Sequence, residues 1–107
     1  MGYEHNINYK TRVFSLITTD LGKRTSIIKS SIFIKGRLLV SIEKSYEHLL
    51  ENPLKKTILQ TLVVSLMKKQ HKKIMRNLID SEYDDLIFKL LTKIYNKEQA
   101  KKELKLK

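Results

Sequence analysis

The chain has no cysteine and no tryptophan, a single proline and three glycines in 107 residues. Without thiols there is no disulfide, no thiolate metal site and no thiol nucleophile. A structural zinc site would need histidine and carboxylate ligands alone, which is rare. The missing cysteine also agrees with a reducing compartment. So little glycine and proline argues against a loop-rich or low-complexity chain. Long apolar runs are missing too: Leu62, Val63 and Val64 are followed at once by Ser65, so no segment is expected to span a bilayer. No basic stretch leads into an apolar one at the N-terminus, and Asn6 stands where a myristoylation pattern needs Ser or Thr. The expectation is a cytoplasmic protein.

Common catalytic patterns are missing as well. The three histidines, His5, His48 and His71, do not have helical metal-pair spacing, and no HExxH occurs. The three glycines are isolated, which leaves no phosphate loop, and there is no GxSxG elbow. Asp84 and Asp85 are adjacent, but carboxylates at a helix start stabilise its exposed amides and its dipole. The reading is a non-enzyme with no catalytic, metal or cofactor residues and no indicated small-molecule substrate.

What is present is enough apolar material for one modest core: 41% hydrophobic residues against 31% charged, a single domain over residues 1–107. The net charge is +11. Such an excess suggests an acidic partner. Lysine outnumbers arginine 18 to 4, however, and arginine is the better residue for bidentate phosphate and base contacts. The charge is informative only where it clusters.

Three β-favouring runs come first, at about 9–19, 25–35 and 38–44. Asp20 to Lys23 forms the first turn, and Lys35-Gly36-Arg37 the second. A three-residue loop centred on Gly36 sets Ile34 against Leu38, Ile32 against Val40 and Ser30 against Ile42, giving one apolar face. It also sets Lys29 against Glu43, a favourable pair. Phe33 and Leu39 then point off that face and need other cover.

Asn52-Pro53 is a strong helix start, and the helix is expected over about 53–79, roughly 40 Å long. Leu59, Leu62, Val63, Leu66, Met67, Ile74 and Leu78 share one arc, and Lys68, Lys69, Lys72, Lys73 and Arg76 the opposite one. Gln70 falls within the apolar arc with His71 at its border, so Gln70 needs a hydrogen-bond partner, expected on strand or linker backbone. Tyr46 is expected to pack under this helix and use its hydroxyl to fix the linker. Ser81 and Asp84 resemble a capping box opening a second helix at about 82–96. A charged tail, 97–107, extends it and frays. The fold class is α+β: a three-stranded antiparallel β-meander, a long amphipathic helix and a shorter C-terminal helix.

In order along the chain stand Thr18, Asp20 with Gly22, Ile32-Phe33 and Gly36, Ser45-Tyr46, Leu66-Met67, Gln70-His71, Leu78 and Tyr83-Asp84. Over about residues 12–84 this succession resembles a family of short uncharacterised bacterial proteins reading "QTED.G", "LF..G", "SY", "LM..QH" and "L..G.FD". Thr19 stands where that family tends to have Glu, and Ser81 where it tends to have Gly. The resemblance implies no activity. It singles out Asp20, Gly22, Ser45, Tyr46, Gln70 and His71.

Two functions fit. The first is a small interaction or adaptor protein, working through self-association (a homodimer) or a protein partner. The alternative is nucleic-acid binding through the basic face of residues 68–76, although that helix lacks the interleaved aromatics that single strands favour.

Overall fold

Inward-facing apolar residues alternate with outward-facing ones through the first half of the chain, and the result is a four-stranded antiparallel meander. The computed structural model describes residues 2–51 and 55–106, with side chains as far as residue 100. Strands β1 (Gly2–Tyr9), β2 (Arg12–Asp20), β3 (Ile27–Ile34) and β4 (Arg37–Ser45) lie side by side in chain order. A 3-10 turn at Glu47–Leu49 precedes two helices, α1 (Lys56–Ile79) and α2 (Asp84–Leu106). The α+β class stands, with four strands rather than three.

The additional strand is β1, which pairs with β2 from Gly2↔Thr19 to Tyr9↔Arg12. Only Ile7 and Tyr9 of β1 are buried, because an edge strand has one neighbour and half of its inner face meets polar groups. Its turn is equally unmarked. Lys10 and Thr11 both adopt left-handed backbone, φ 48° and 66°, the conformation of a primed hairpin turn that normally carries Asn or Gly. A reading from residue types therefore runs through the turn and begins the strand at Tyr9.

The β3–β4 hairpin turns on two residues rather than three. Lys35 (φ 52°) and Gly36 (φ 72°) form the turn, which sets Ile34 against Arg37 and Phe33 against Leu38. One step further the register shifts by a bulge, and Ile32↔Val40, Ser30↔Ile42 and Lys29↔Glu43 pair as expected. A two-residue turn alone would place the wrong face inward, and one extra residue on β4 restores it. The extra residue changes the assignments near the turn. Leu39 packs, half-buried, against the core instead of pointing away from it, and Leu38 takes the outward position at 51% exposure.

Helix α1 lies across the inner face, chiefly over β2 and then over β1 and β3. Its buried stripe is Leu59, Val63, Met67, Gln70, His71, Ile74 and Leu78; Leu62, expected in that stripe, lies at its exposed rim. The Asn52-Pro53 helix start lies outside the described residues. Two apolar clusters result. One joins Ile7, Tyr9, Phe14, Leu16, Ile32 and Ile34 to Ile74, Leu78 and Ile87 of the helices. The other joins Ile28 and Tyr46 to Leu59, Val63 and Met67.

The α1–α2 junction is not a capping box. Ser81 takes φ 69°, left-handed backbone that glycine adopts without strain. Asp84 leaves the helix start to bond Tyr9 and Lys10 on the first hairpin, at 2.8 and 2.7 Å. Helix α2 begins at Asp84 rather than residue 82, and the charged segment after residue 96 extends it, as expected, to Leu106. Among its described side chains Ile87 and Ile94 are buried, flanked by half-buried Leu90 and Leu91.

Phe14 is fully buried at the centre of the larger cluster, so Phe14→Ala is expected to lower the unfolding free energy by about 3–5 kcal/mol in denaturant titration. Lys35→Asn, at a left-handed turn position that Asn tolerates better, should raise it by about 0.5 kcal/mol in the same measurement.

Candidate functional site

A layer of polar side chains separates the two apolar clusters. Thr18 on β2 and Ser30 on β3 face each other across the ladder on the inner face, with Leu16, Ile28 and Ile32 as their buried neighbours. Helix α1 presents Gln70 and His71 to them. The Thr18 and Ser30 hydroxyl oxygens are 2.7 Å apart, and Thr18 Oγ1 lies 2.8 Å from His71 Nδ1. His71 Nε2 lies 2.8 Å from Nδ1 of His5 on β1. The Gln70 amide nitrogen donates to Ser30 Oγ at 3.0 Å and approaches the backbone carbonyls of Ile28 and Ile42 at 3.2 and 3.4 Å. Thr18, Ser30, Gln70 and His71 are all buried. Burial holds the His71 pKa below the usual imidazole value, and the neighbouring His5 adds to the effect.

A second cluster lies where β2 ends. Asp20 Oδ1 accepts from the Tyr46 hydroxyl at 2.7 Å and from the Gly22 amide at 3.0 Å. Tyr46 is buried against α1, and burial followed by the Asp20 carboxylate pushes its phenol up to about 12. The hydroxyl thus fixes the β2–β3 loop rather than the linker after β4. Gly22 has φ 98°, so the loop depends on a residue without Cβ there. Ser45 accepts from the Glu47 amide at 3.1 Å, turning the chain out of β4.

The six motif positions thus fall into two adjacent groups under one helix: Asp20, Gly22 and Tyr46, with Ser45 beside them, and Gln70 with His71. Residue patterns alone pass over His5, Thr18 and Ser30 as members of the second group. The usable signal is that Thr18 and Ser30 each interrupt an inward apolar alternation, in strands that must pair. His5 carries no such signal, because β1 itself is hidden. Thr18 beside His71 resembles a hydroxyl and its base, but Thr18 is fully buried and already bonded to Ser30, so in this arrangement it joins the layer together. Among the described residues no group of three or more His, Asp or Glu side chains is placed to hold a metal.

The basic positions Lys68, Lys69, Lys72, Lys73 and Arg76 are all exposed. Lys69 and Lys73 line a groove of about 450 Å³ against Glu43 and Lys44 of β4. Lys68 borders a second groove of about 760 Å³, with Lys23, Asp20 and Tyr46. Among the described residues the one ion pair is Lys10–Asp84 at 2.7 Å, so the basic face has no described acidic neighbour bound to it. No helix is long and apolar enough to cross a membrane among the described residues.

Compared with known proteins, the chain matches no family model, no curated protein and no solved structure.

Thr18→Val removes the hydroxyl that links Ser30 to His71 while keeping the shape. It should cost about 1–3 kcal/mol of stability, since two buried partners lose a bond. The pH dependence has a definite sign. The folded His71 pKa lies below the unfolded imidazole value near 6.5, so the folded state binds fewer protons between the two. Stability contributed by neutral His71 is complete above about pH 6.5 and is lost as pH falls from there toward the folded value, with a slope of at most about 1.4 kcal/mol per pH unit. Urea midpoints measured across that range check it; a flat profile contradicts a buried neutral His71.

Proposed function

We propose that the protein is a non-catalytic interaction module that self-associates through the outer face of its sheet. The observation that carries this reading is the makeup of that face. Val13 and Leu38 are 58% and 51% exposed there, beside half-buried Ile17, Ile27 and Phe33. Charge is sparse on it: Glu4, Glu43 and Lys29 in a chain of net charge +11, with Lys29 set directly across from Glu43. Depletion of charge around apolar and aromatic residues is what marks the centre of a protein interface.

Size and charge favour a second copy as the partner. Four strands about eight residues long present roughly 26 by 19 Å, about 500 Å² in projection, and side-chain relief brings this toward the ~800 Å² per partner of a standard interface. Two strongly cationic chains can meet on this side with little repulsion. Sheets packed about 10 Å apart, each backed by a helix 10–12 Å across, keep the two basic faces roughly 30 Å apart, several screening lengths at physiological salt. The face also carries both signs of charge, as self-complementary pairing about a two-fold axis requires.

A second reading, nucleic-acid binding, rests on five exposed basic side chains at positions 68–76 without a described ion-pair partner.

Sedimentation equilibrium on the full chain should give twice the chain mass, and Phe33→Glu or Leu38→Glu should restore the single-chain mass with the fold intact by circular dichroism. A monomer at high micromolar concentration, with no protein captured in a pulldown, would overturn the first reading. For the second, affinity for DNA and RNA should fall steeply with salt, and combined Lys68→Glu, Lys72→Glu and Arg76→Glu should abolish it and flatten the salt slope. Unchanged affinity in that triple variant rejects it.

A further inference from the structure

The polar layer has a direction. The Gln70 amide nitrogen only donates, and it is oriented by two backbone carbonyls, of Ile28 and Ile42, in addition to Ser30. The opposite amide orientation would put oxygen against oxygen. Ser30 Oγ therefore accepts from Gln70. If the Ser30 hydrogen points to Thr18, the Thr18 hydrogen points to His71 Nδ1, and His71 is left with its hydrogen on Nε2, aimed at His5 Nδ1. His5, which is exposed, then carries its own hydrogen toward solvent. Every hydrogen in this chain is used. Reversing it turns the Ser30 hydrogen toward the Gln70 amide nitrogen, which cannot accept it, while the unpartnered Gln70 Oε1 makes no bond to Ser30, a loss of about 1–3 kcal/mol.

A proton added to the pair cannot be absorbed within this arrangement. If it sits on His5 Nδ1, two N–H groups confront each other across 2.8 Å. If it moves to His71 Nδ1, it confronts the Thr18 hydrogen. No nearby group neutralises the cation. From β1 the pair meets the Tyr3 ring, whose centroid is 5.9 Å from that of His71; from β2, Thr18; from β3, the neutral Ser30. Asp20 lies one inward step beyond Thr18 and is committed to Tyr46 and Gly22. On α1 every charge within three residues of His71 is positive, from Lys68, Lys69, Lys72 and Lys73; Glu4, next to His5, stands on the opposite face of β1, and no described carboxylate bonds either ring.

We propose that the His5–His71 pair is a proton-operated latch: neutral, it ties the first half of edge strand β1 to helix α1, and taking up one proton releases it. The contact broken is His71 Nε2–H to His5 Nδ1, and the freed imidazolium turns to solvent from the exposed His5 side. This inference is independent of the self-association reading, which concerns the opposite face of the sheet.

The test is made on the full chain by nitrogen-resolved imidazole NMR and amide hydrogen exchange, from about pH 7.5 to about pH 5, either side of the imidazole range. At the higher pH, His71 should carry hydrogen on Nε2 and a bare Nδ1. At the lower pH the protection factors of the Tyr3 and His5 amides, which face β2, should fall about tenfold or more relative to Ile17 and Ile32 in the sheet centre. In His5→Leu, a change at an exposed position, those amides should show the low protection at both pH values. Hydrogen found on His71 Nδ1 at neutral pH, equal protection at both pH values in the unmodified chain, or an unaltered pH response in His5→Leu would each overturn the proposal.

Discussion

The hydrogen bonds of one amide nitrogen, that of Gln70, fix how the helix sits on the sheet. It contacts the carbonyls of two neighbouring strands and a hydroxyl between them, in a core that is otherwise apolar above and below. Apolar contacts alone tolerate sliding, since a leucine stripe displaced by one turn still buries leucines. A buried amide does not tolerate it, because each bond it loses leaves a desolvated group unpaired. The arrangement is not free of cost: the Gln70 carbonyl oxygen is itself buried with no described partner. The layer thus exchanges some stability for a single helix position. Thr18, Ser30 and His71 extend that constraint to β2 and β3, and His5 extends it to β1.

The second cluster applies the same logic to the end of the sheet. Asp20 accepts from a buried tyrosine and a loop amide, so the β2–β3 loop, the exit from β4 and the first half of α1 meet at one carboxylate. The opposite end of the sheet is held differently, by the partly exposed ion pair Lys10–Asp84 with Tyr9 and Ser81 beside it. Exposed pairs of that kind contribute little to stability; here the bond explains why Asp84 is directed at the hairpin rather than at its own helix.

Legibility in the sequence followed the strength of local signals. The apolar face of β2 and β3, the Lys29–Glu43 register, the long helix and the need of Gln70 for a partner on strand or linker backbone could all be read from spacing, because each rests on a repeated pattern. The first strand could not, because Gly2–Tyr9 buries only two residues and turns on Lys10 and Thr11, neither of which announces left-handed backbone. The bulge at Leu39 was hidden for a related reason: two errors of one residue, in the loop length and in the pairing, cancel beyond Val40. His5 was hidden because its partner lies 66 residues away.

The bulge on β4 also makes the two borders of the sheet unequal. Beside Arg37–Ser45 the spacing of outward N–H and C=O groups is broken at Leu39 and flanked by the charges of Arg37, Glu43 and Lys44, so an added strand cannot run the length of that border in step. Beside Gly2–Tyr9 the ladder with β2 is unbroken over eight residues. A sheet with one open and one closed border cannot grow by head-to-tail stacking, which needs two matching edges. In edge-to-edge pairing two such sheets can join only through the open border, and that union is self-limiting.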